Sequence, residues 1–162
     1  ILNISSFIIY PSNFDDFKDN VGLSIFKTTE TLSYGDTEIG YDVPDDYELT
    51  SETKSIKTYI SDENVLQYTI YFSTVKKAIE MDKAIVADYK KSNDYKEVSD
   101  KEITLKVKNK NLKGYTYTLI KDSEKIHTMI VYYPKDNFVV TITLTSKNTI
   151  NKEDMKKLIK IN

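Results

Sequence analysis

The stretch "KEITLKVKNKNLKGYTYTLIKDSEKIHTMIVYYPKDNFVVTITLTS", Lys101–Ser146, decides the fold class of this chain. Four segments within it are rich in β-branched and aromatic residues, and short polar sequences such as KDSEK and YPKDN separate them. Consecutive strands with short turns between them pair with their neighbours. The stretch therefore predicts a four-stranded antiparallel meander.

The residues before the meander predict three more strands and one helix. The strands are TEIGYDV (37–43), SIKTYI (55–60) and VLQYTIYF (65–72). The period then changes, because the apolar side chains of residues 75–91 fall on one face of a helical projection. We expect one amphipathic helix over this range.

A closing helix is predicted after the meander. Asn151 can cap it, and Met155, Leu158 and Ile159 form its apolar stripe. The whole pattern predicts an α+β fold, with an antiparallel sheet of about six to seven strands flanked by helices. We place this single domain at residues 36–162, and we interpret residues 1–35 as an N-terminal segment, either a short helix capped by Ser12 or Asn13 or a linker.

Composition excludes several classes of function. The 162 residues contain no cysteine, which excludes disulfides and thiol nucleophiles, and lysine supplies all 23 basic side chains. Without arginine the chain lacks the guanidinium fork that contacts phosphate and guanine, so nucleic acid is not an expected partner. The GxSxG, P-loop, GxGxxG and HExxH motifs are absent, and we expect neither catalysis nor a cofactor.

The order of these segments resembles that of PsbP-like proteins. The resemblance covers residues 36–162 and rests on a strand that runs into VPDDYEL (43–49), the central helix, the meander with its Gly114–Tyr115 pair, and the closing helix. This group includes the extrinsic P subunit of photosystem II, a Ran-binding nuclear import factor and many bacterial surface lipoproteins. The resemblance implies an α/β/α sandwich and a non-catalytic role in binding or scaffolding.

The acidic sequence GYDVPDDYEL (40–49) raises the question of a metal site. Calcium requires six to eight oxygen ligands, often from a loop with acids at alternate positions and a glycine at the sharp turn. This stretch has no glycine after its acids, and Pro44 interrupts them. It predicts a tight turn with Pro44 at its first central position, and no metal site.

Five residues are candidates for a binding site. Asp82 falls inside the apolar stripe of the 75–91 helix, next to Tyr89, and a buried carboxylate must be paired, hydrogen-bonded or protonated. It is either the polar end of a ligand pocket between helix and sheet, or the partner of a tyrosine or lysine at the edge of the core. Tyr115 and Tyr117 face inward from the meander, either as core residues or as a platform for carbohydrate. His127, the only histidine, completes the set.

His127 also tests a hydrolase hypothesis. Strand alternation places it on the same side as Lys125 and Met129, where a half-exposed histidine is an ordinary strand residue. Catalysis by Asp82 and His127 requires their side chains to lie within hydrogen-bonding reach in a cleft.

Two non-catalytic functions are expected. The first is a binding or scaffolding domain of a secreted or surface-anchored protein of a Gram-positive bacterium, a lipoprotein attached only through an upstream lipid anchor, with a protein or envelope component as partner. Export is expected from the resemblance and from the start at Ile1 rather than Met. The alternative is a small-ligand or lipid-binding protein. It predicts an enclosed cavity between the 75–91 helix and the sheet, whereas the first predicts a filled core and an exposed aromatic patch.

Overall fold

The structure is a computed structural model, and it describes residues 29–162. The short helix predicted near Ser12 lies outside the described residues. No helix in the described part of the chain is long and apolar enough to cross a membrane.

One large antiparallel sheet dominates the fold. Strands β1 (Thr29–Tyr34) and β2 (Thr37–Asp42) form a separate hairpin. The large sheet has seven strands, which lie side by side in the order β3 (Glu48–Glu52), β4 (Ile56–Ser61), β5 (Asn64–Phe72), β9 (Phe138–Ser146), β8 (Glu124–Lys135), β7 (Lys110–Lys121) and β6 (Glu97–Val107). Helix α1 (Val75–Lys91) joins β5 to β6, and α2 (Lys152–Lys156) follows β9.

Five hairpins turn through two residues, and each has a positive φ at the first of them. These first residues are Gly35, Asp62, Lys108, Asp122 and Asp136, with φ between 50° and 60°. Two-residue hairpin turns need this left-handed conformation because it matches the twist of the strands. Glycine and aspartate accept it readily, whereas Lys108 adopts it against the ordinary preference of a lysine.

The central strands of the sheet are buried on both faces. Helix α1 packs Ala78, Ile79 and Val86 on one face, against tyrosines from β7 and β8. The β1–β2 hairpin and the α2 segment cover the other face, where Leu32 and Met155 are fully buried. Strand β9 is consequently buried from its second residue to its last.

Three tyrosines fasten the hairpin to the sheet. The ring of Tyr41 stacks on that of Tyr68, with 4.2 Å between centroids, and its hydroxyl lies 2.7 Å from the hydroxyl of Tyr59. The Tyr68 hydroxyl donates a 2.7 Å hydrogen bond to the carbonyl oxygen of Leu158, beyond α2. Buried phenols need such partners, and here they join three parts of the chain.

Gly114 is required by close packing within the meander. A Cβ atom at this position would lie 2.9 Å from Ile103 Cγ1 and 2.9 Å from the carbonyl oxygen of Ile130. Strand β7 passes too close to both neighbouring strands for a side chain on this face. The close approach of the strands therefore explains the glycine in the Gly114–Tyr115 pair noted in the sequence.

The predicted α+β class is confirmed, as are the four-stranded meander and the helix over 75–91. The Asn151 cap is also present, since its side chain accepts a 2.8 Å hydrogen bond from the Asp154 N–H. Three details of the predicted secondary structure were wrong. Strand β3 was not predicted, β6 begins four residues before the KEITLKV segment, and α2 ends at Lys156 before most of its predicted stripe.

The described fold begins before the predicted N-terminal boundary. The predicted domain starts at residue 36, and β1 precedes that position yet pairs with β2 along its whole length. Residues 29–34 therefore belong to the described fold, and the interpretation of the residues before them remains a prediction.

Candidate functional site

Asp82 belongs to α1, and its side chain is directed towards the sheet and is buried, with 2% of the residue exposed. The hydroxyl of Tyr132, on β8, donates a 2.6 Å hydrogen bond to its Oδ2 atom. Burial, followed by the charge of Asp82, raises the pKa of Tyr132 far above the ordinary value of tyrosine. The carboxylate expected in the apolar stripe is thus buried and bonded to a tyrosine.

The other candidate tyrosines surround this pair. Tyr115 and Tyr117 are nearly fully buried, and the ring of Tyr89 contacts that of Tyr117 at 6.0 Å between centroids. Burial is the main cause that raises the pKa of Tyr115 and of Tyr117. The sequence predicted that both side chains face inward, and in the structure both pack beneath α1.

Asp100 joins this cluster to the end of α1. The Tyr115 hydroxyl and the Lys90 ammonium group both donate hydrogen bonds to its carboxylate. The bond from Lys90, followed by that from Tyr115, lowers the pKa of Asp100 below its ordinary value. A second ion pair, Lys83–Glu102, crosses from the same helix to β6. These polar contacts hold α1 in place on the sheet.

His127 lies on the opposite face of the sheet. It is half-buried, its Nδ1 atom is 3.0 Å from the Thr118 hydroxyl, and it shares its side of β8 with Met129. Burial, together with nearby Lys125, lowers its pKa. Asp82 contacts Tyr132 on the α1 side, so the sheet separates the two residues that the hydrolase hypothesis needs close together.

The acidic stretch at residues 42–48 forms a turn. The N–H of Tyr47 donates a 3.1 Å hydrogen bond to the Pro44 carbonyl, which places Asp45 and Asp46 at the central positions, one residue later than predicted. The Asp46 carboxylate accepts a hydrogen bond from the Ser61 hydroxyl. Within residues 29–162, no cluster of three or more acidic or histidine side chains is suited to a metal ion.

An exposed group of aromatic side chains lies at one end of the sheet. We call Tyr34, Phe72 and Phe138 the aromatic patch. Phe138 contacts both other rings, with centroid distances of 5.7 Å to Tyr34 and 5.5 Å to Phe72. Phe72 is 66% exposed and Tyr34 is 45% exposed, and they are the exposed large hydrophobic residues of the described chain.

A groove of about 690 Å³ adjoins the aromatic patch. We call it the terminal groove, because it lies where β5 runs into α1 and where β8 turns into β9. Its lining is mainly apolar and consists of Tyr71, Phe72, Ser73, Thr74, Val75, Lys77, Met81, Pro134, Asp136, Asn137, Phe138 and Val139.

The candidates chosen from the sequence do not line this groove. Alternation of β5 places Phe72 on the same face as Tyr68 and Ile70, which are buried, and nothing in the residue pattern marks where that face stops being covered. The sequence offered one signal for the groove, which is the position of Phe72 and Phe138 within their strands. Phe72 is the last residue of its strand and Phe138 is the first of its own, and strand ends border the edge of a core.

Comparisons with known proteins show no family. No protein-family model matches the chain, and no curated protein does. Among solved structures, the crystal structure of the Saccharomyces cerevisiae Ran-binding protein Mog1p is similar over 81% of this chain and 82% of that one, with 10% identity and a TM-score of 0.46. At that identity and score the likeness says nothing of what this chain binds.

Proposed function

We propose that this chain is a non-catalytic binding or scaffolding domain that contacts its partner through the aromatic patch. The proposed partner is a protein or another component of the cell envelope. The proposed setting is the surface of a Gram-positive bacterium, with secretion or an upstream lipid anchor. The resemblance of residues 36–162 to PsbP-like proteins supports this setting and the sandwich architecture that goes with it.

The exposure of Phe72 is the observation that carries the proposal. An aromatic ring that is 66% exposed loses the stabilisation that burial would give it, and exposed apolar clusters with a polar rim mark interaction surfaces. Aromatic residues are also enriched among the side chains that dominate binding energy. The space beneath α1, by contrast, is filled by tyrosines and aliphatic side chains.

The alternative function, binding of a small ligand or lipid, is favoured by one observation. The terminal groove lies between the first turns of α1 and the end of the sheet, and its volume of about 690 Å³ is in the range of ligand pockets. Lys77, rather than Asp82, would then be the polar contact. Phe72 lies at the mouth of the groove and is 66% exposed. This exposure supports the first proposal better, because a ligand pocket encloses most of the surface of its ligand.

Photo-crosslinking in source cells tests the proposed function. The chain would carry p-benzoylphenylalanine at position 72, and the control would carry it at exposed Lys125, at the other end of β8. We expect a covalent adduct of defined mass from position 72, recovered with the cell envelope, and none from position 125. Failure to form an adduct at position 72 in any fraction would contradict the proposal.

A further inference from the structure

The two sides of the terminal groove are fixed relative to each other. The Ser73 N–H, at the joint between β5 and α1, donates a 3.2 Å hydrogen bond to the carbonyl of Asn137 in the β8–β9 turn. Phe72 and Phe138 are directly paired across neighbouring strands. Because the groove is assembled before any partner arrives, binding there need not include the entropic cost of ordering its walls.

Two charges of opposite sign enter the groove from different elements. Lys77 comes from the first turns of α1, and Asp136 from the turn between β8 and β9. Both side chains are exposed, and neither forms an ion pair with another residue in the range 29–162. The first turn of α1 contains no acidic residue that would compete for an external anion.

This charge arrangement limits what the groove accepts. An anionic lipid surface or a fatty acid would match Lys77 and would be repelled by Asp136. A peptide can present both signs within a few residues and can also supply an apolar side chain for the lining of Val75, Met81 and Val139. The combination of an apolar lining and paired opposite charges therefore favours a protein segment.

We infer that the terminal groove binds a segment of a partner protein in which a large apolar side chain lies between an acidic residue and a basic residue. The apolar side chain fills the groove against Val75 and Met81, the acid pairs with Lys77, and the base pairs with Asp136. This inference rests on the proposed binding function and adds the chemistry of the partner to it.

Selection from a displayed random peptide library on the immobilised full chain tests the inference. The enriched peptides should share an aromatic or large aliphatic residue with an acid on one side and a base on the other. Val75→Ser, which removes part of the apolar lining, should weaken their binding about 10-fold, as expected for the loss of an aliphatic contact. Lys77→Glu should exchange the selected acid for a base, whereas Lys76→Glu, on the neighbouring residue outside the groove, should leave the selected pattern unchanged.

Other outcomes would overturn the inference. Peptides that bind equally well to the Val75→Ser chain, or whose charges do not respond to Lys77→Glu, would place the contact elsewhere. Co-sedimentation with phosphatidylglycerol vesicles that is lost in Val75→Ser would assign the groove to a lipid surface, and concentration-dependent dimerisation lost in the same variant would assign it to a second copy. An envelope adduct at position 72 without any enriched peptide would refute the segment and leave the binding function standing.

Discussion

At the scale of single residues, the buried carboxylate of Asp82 has a structural task. A carboxylate between an amphipathic helix and a sheet is costly unless hydrogen bonds replace its hydration, and Tyr132 supplies one of them at 2.6 Å. The helical projection alone predicted that this residue is buried. The identity of its partner could not be predicted, because it lies 50 positions away on β8 and several tyrosines were equally available by composition.

Tyr132→Phe should therefore destabilise the protein. The substitution removes the hydroxyl that donates to Asp82 and leaves the ring in place, and a hydrogen bond to a charged group contributes about 1.5–3 kcal/mol. We expect the free energy of unfolding in urea to fall by about 2 kcal/mol. Tyr133→Phe is the control, since the neighbouring hydroxyl contacts exposed Lys110 on the other face and should change stability by no more than about 0.5 kcal/mol. Equal effects of the two substitutions would show that the Asp82 contact contributes little.

At the scale of elements, periodicity decided which segments could be predicted. Helix α1 holds one apolar face for 17 residues, and its predicted and observed ranges coincide. Strand β3 has only five residues, and its pairing with β4 shifts register between Leu49 and Ser51. A short strand with a bulge shows no sustained alternation, so its residues ELTSE resembled a continuation of the preceding turn.

The turn between β6 and β7 offers a test at this scale. Lys108 has a φ of 55°, a conformation that costs a residue with a Cβ roughly 1–2 kcal/mol. Lys108→Gly relieves this cost but gives the unfolded chain more freedom, which offsets about 0.4–1 kcal/mol. We expect a net gain of about 0.5–1 kcal/mol in the free energy of unfolding.

Lys106→Gly is the matched control for this prediction. It changes the same residue type at an exposed position of β6, where a glycine weakens the strand by roughly 0.5–1 kcal/mol. The two variants should therefore shift the midpoint of urea denaturation in opposite directions. Destabilisation by both substitutions would mean that the side chain of Lys108 contributes more than its backbone conformation costs.

At the scale of the whole molecule, the sequence predicted the sheet and an exposed aromatic patch, but not which residues form that patch. Alternation assigns Leu66, Tyr68 and Phe72 to one face of β5, but burial of that face depends on what lies over it. The β1–β2 hairpin covers Leu66 and Tyr68, while Phe72 extends past the covered area. Coverage is a property of tertiary packing, so the aromatic patch and the terminal groove appear only in the assembled molecule.

Tyrosine ionisation provides a measure of this packing. Burial is the main cause that raises the pKa of seven tyrosines in residues 29–162, namely Tyr41, Tyr47, Tyr59, Tyr68, Tyr115, Tyr117 and Tyr132. The smallest of these seven shifts is that of Tyr47, whose pKa is raised to about 12. They lie on both sides of the sheet and so report on the whole core.

The sign of the resulting pH dependence follows from linkage. Each of these groups has a higher pKa in the folded state than in the unfolded state, where tyrosine titrates near pH 10. The stability that depends on their neutral form is complete below about pH 10 and is lost as the pH rises towards the folded-state values. Each such group adds up to about 1.36 kcal/mol per pH unit to the slope, so seven together make alkaline unfolding steep.

Absorbance at 295 nm and far-ultraviolet circular dichroism, followed together above pH 10, check this prediction. The absorbance of the seven buried phenolates should appear in the same cooperative transition in which the sheet signal is lost. Tyr132→Phe should make the transition shallower by one proton, because it removes one of these groups. If phenolate absorbance reached its final value while the sheet signal was intact, the tyrosines would be accessible in the folded state and the packing described for both faces of the sheet would be wrong.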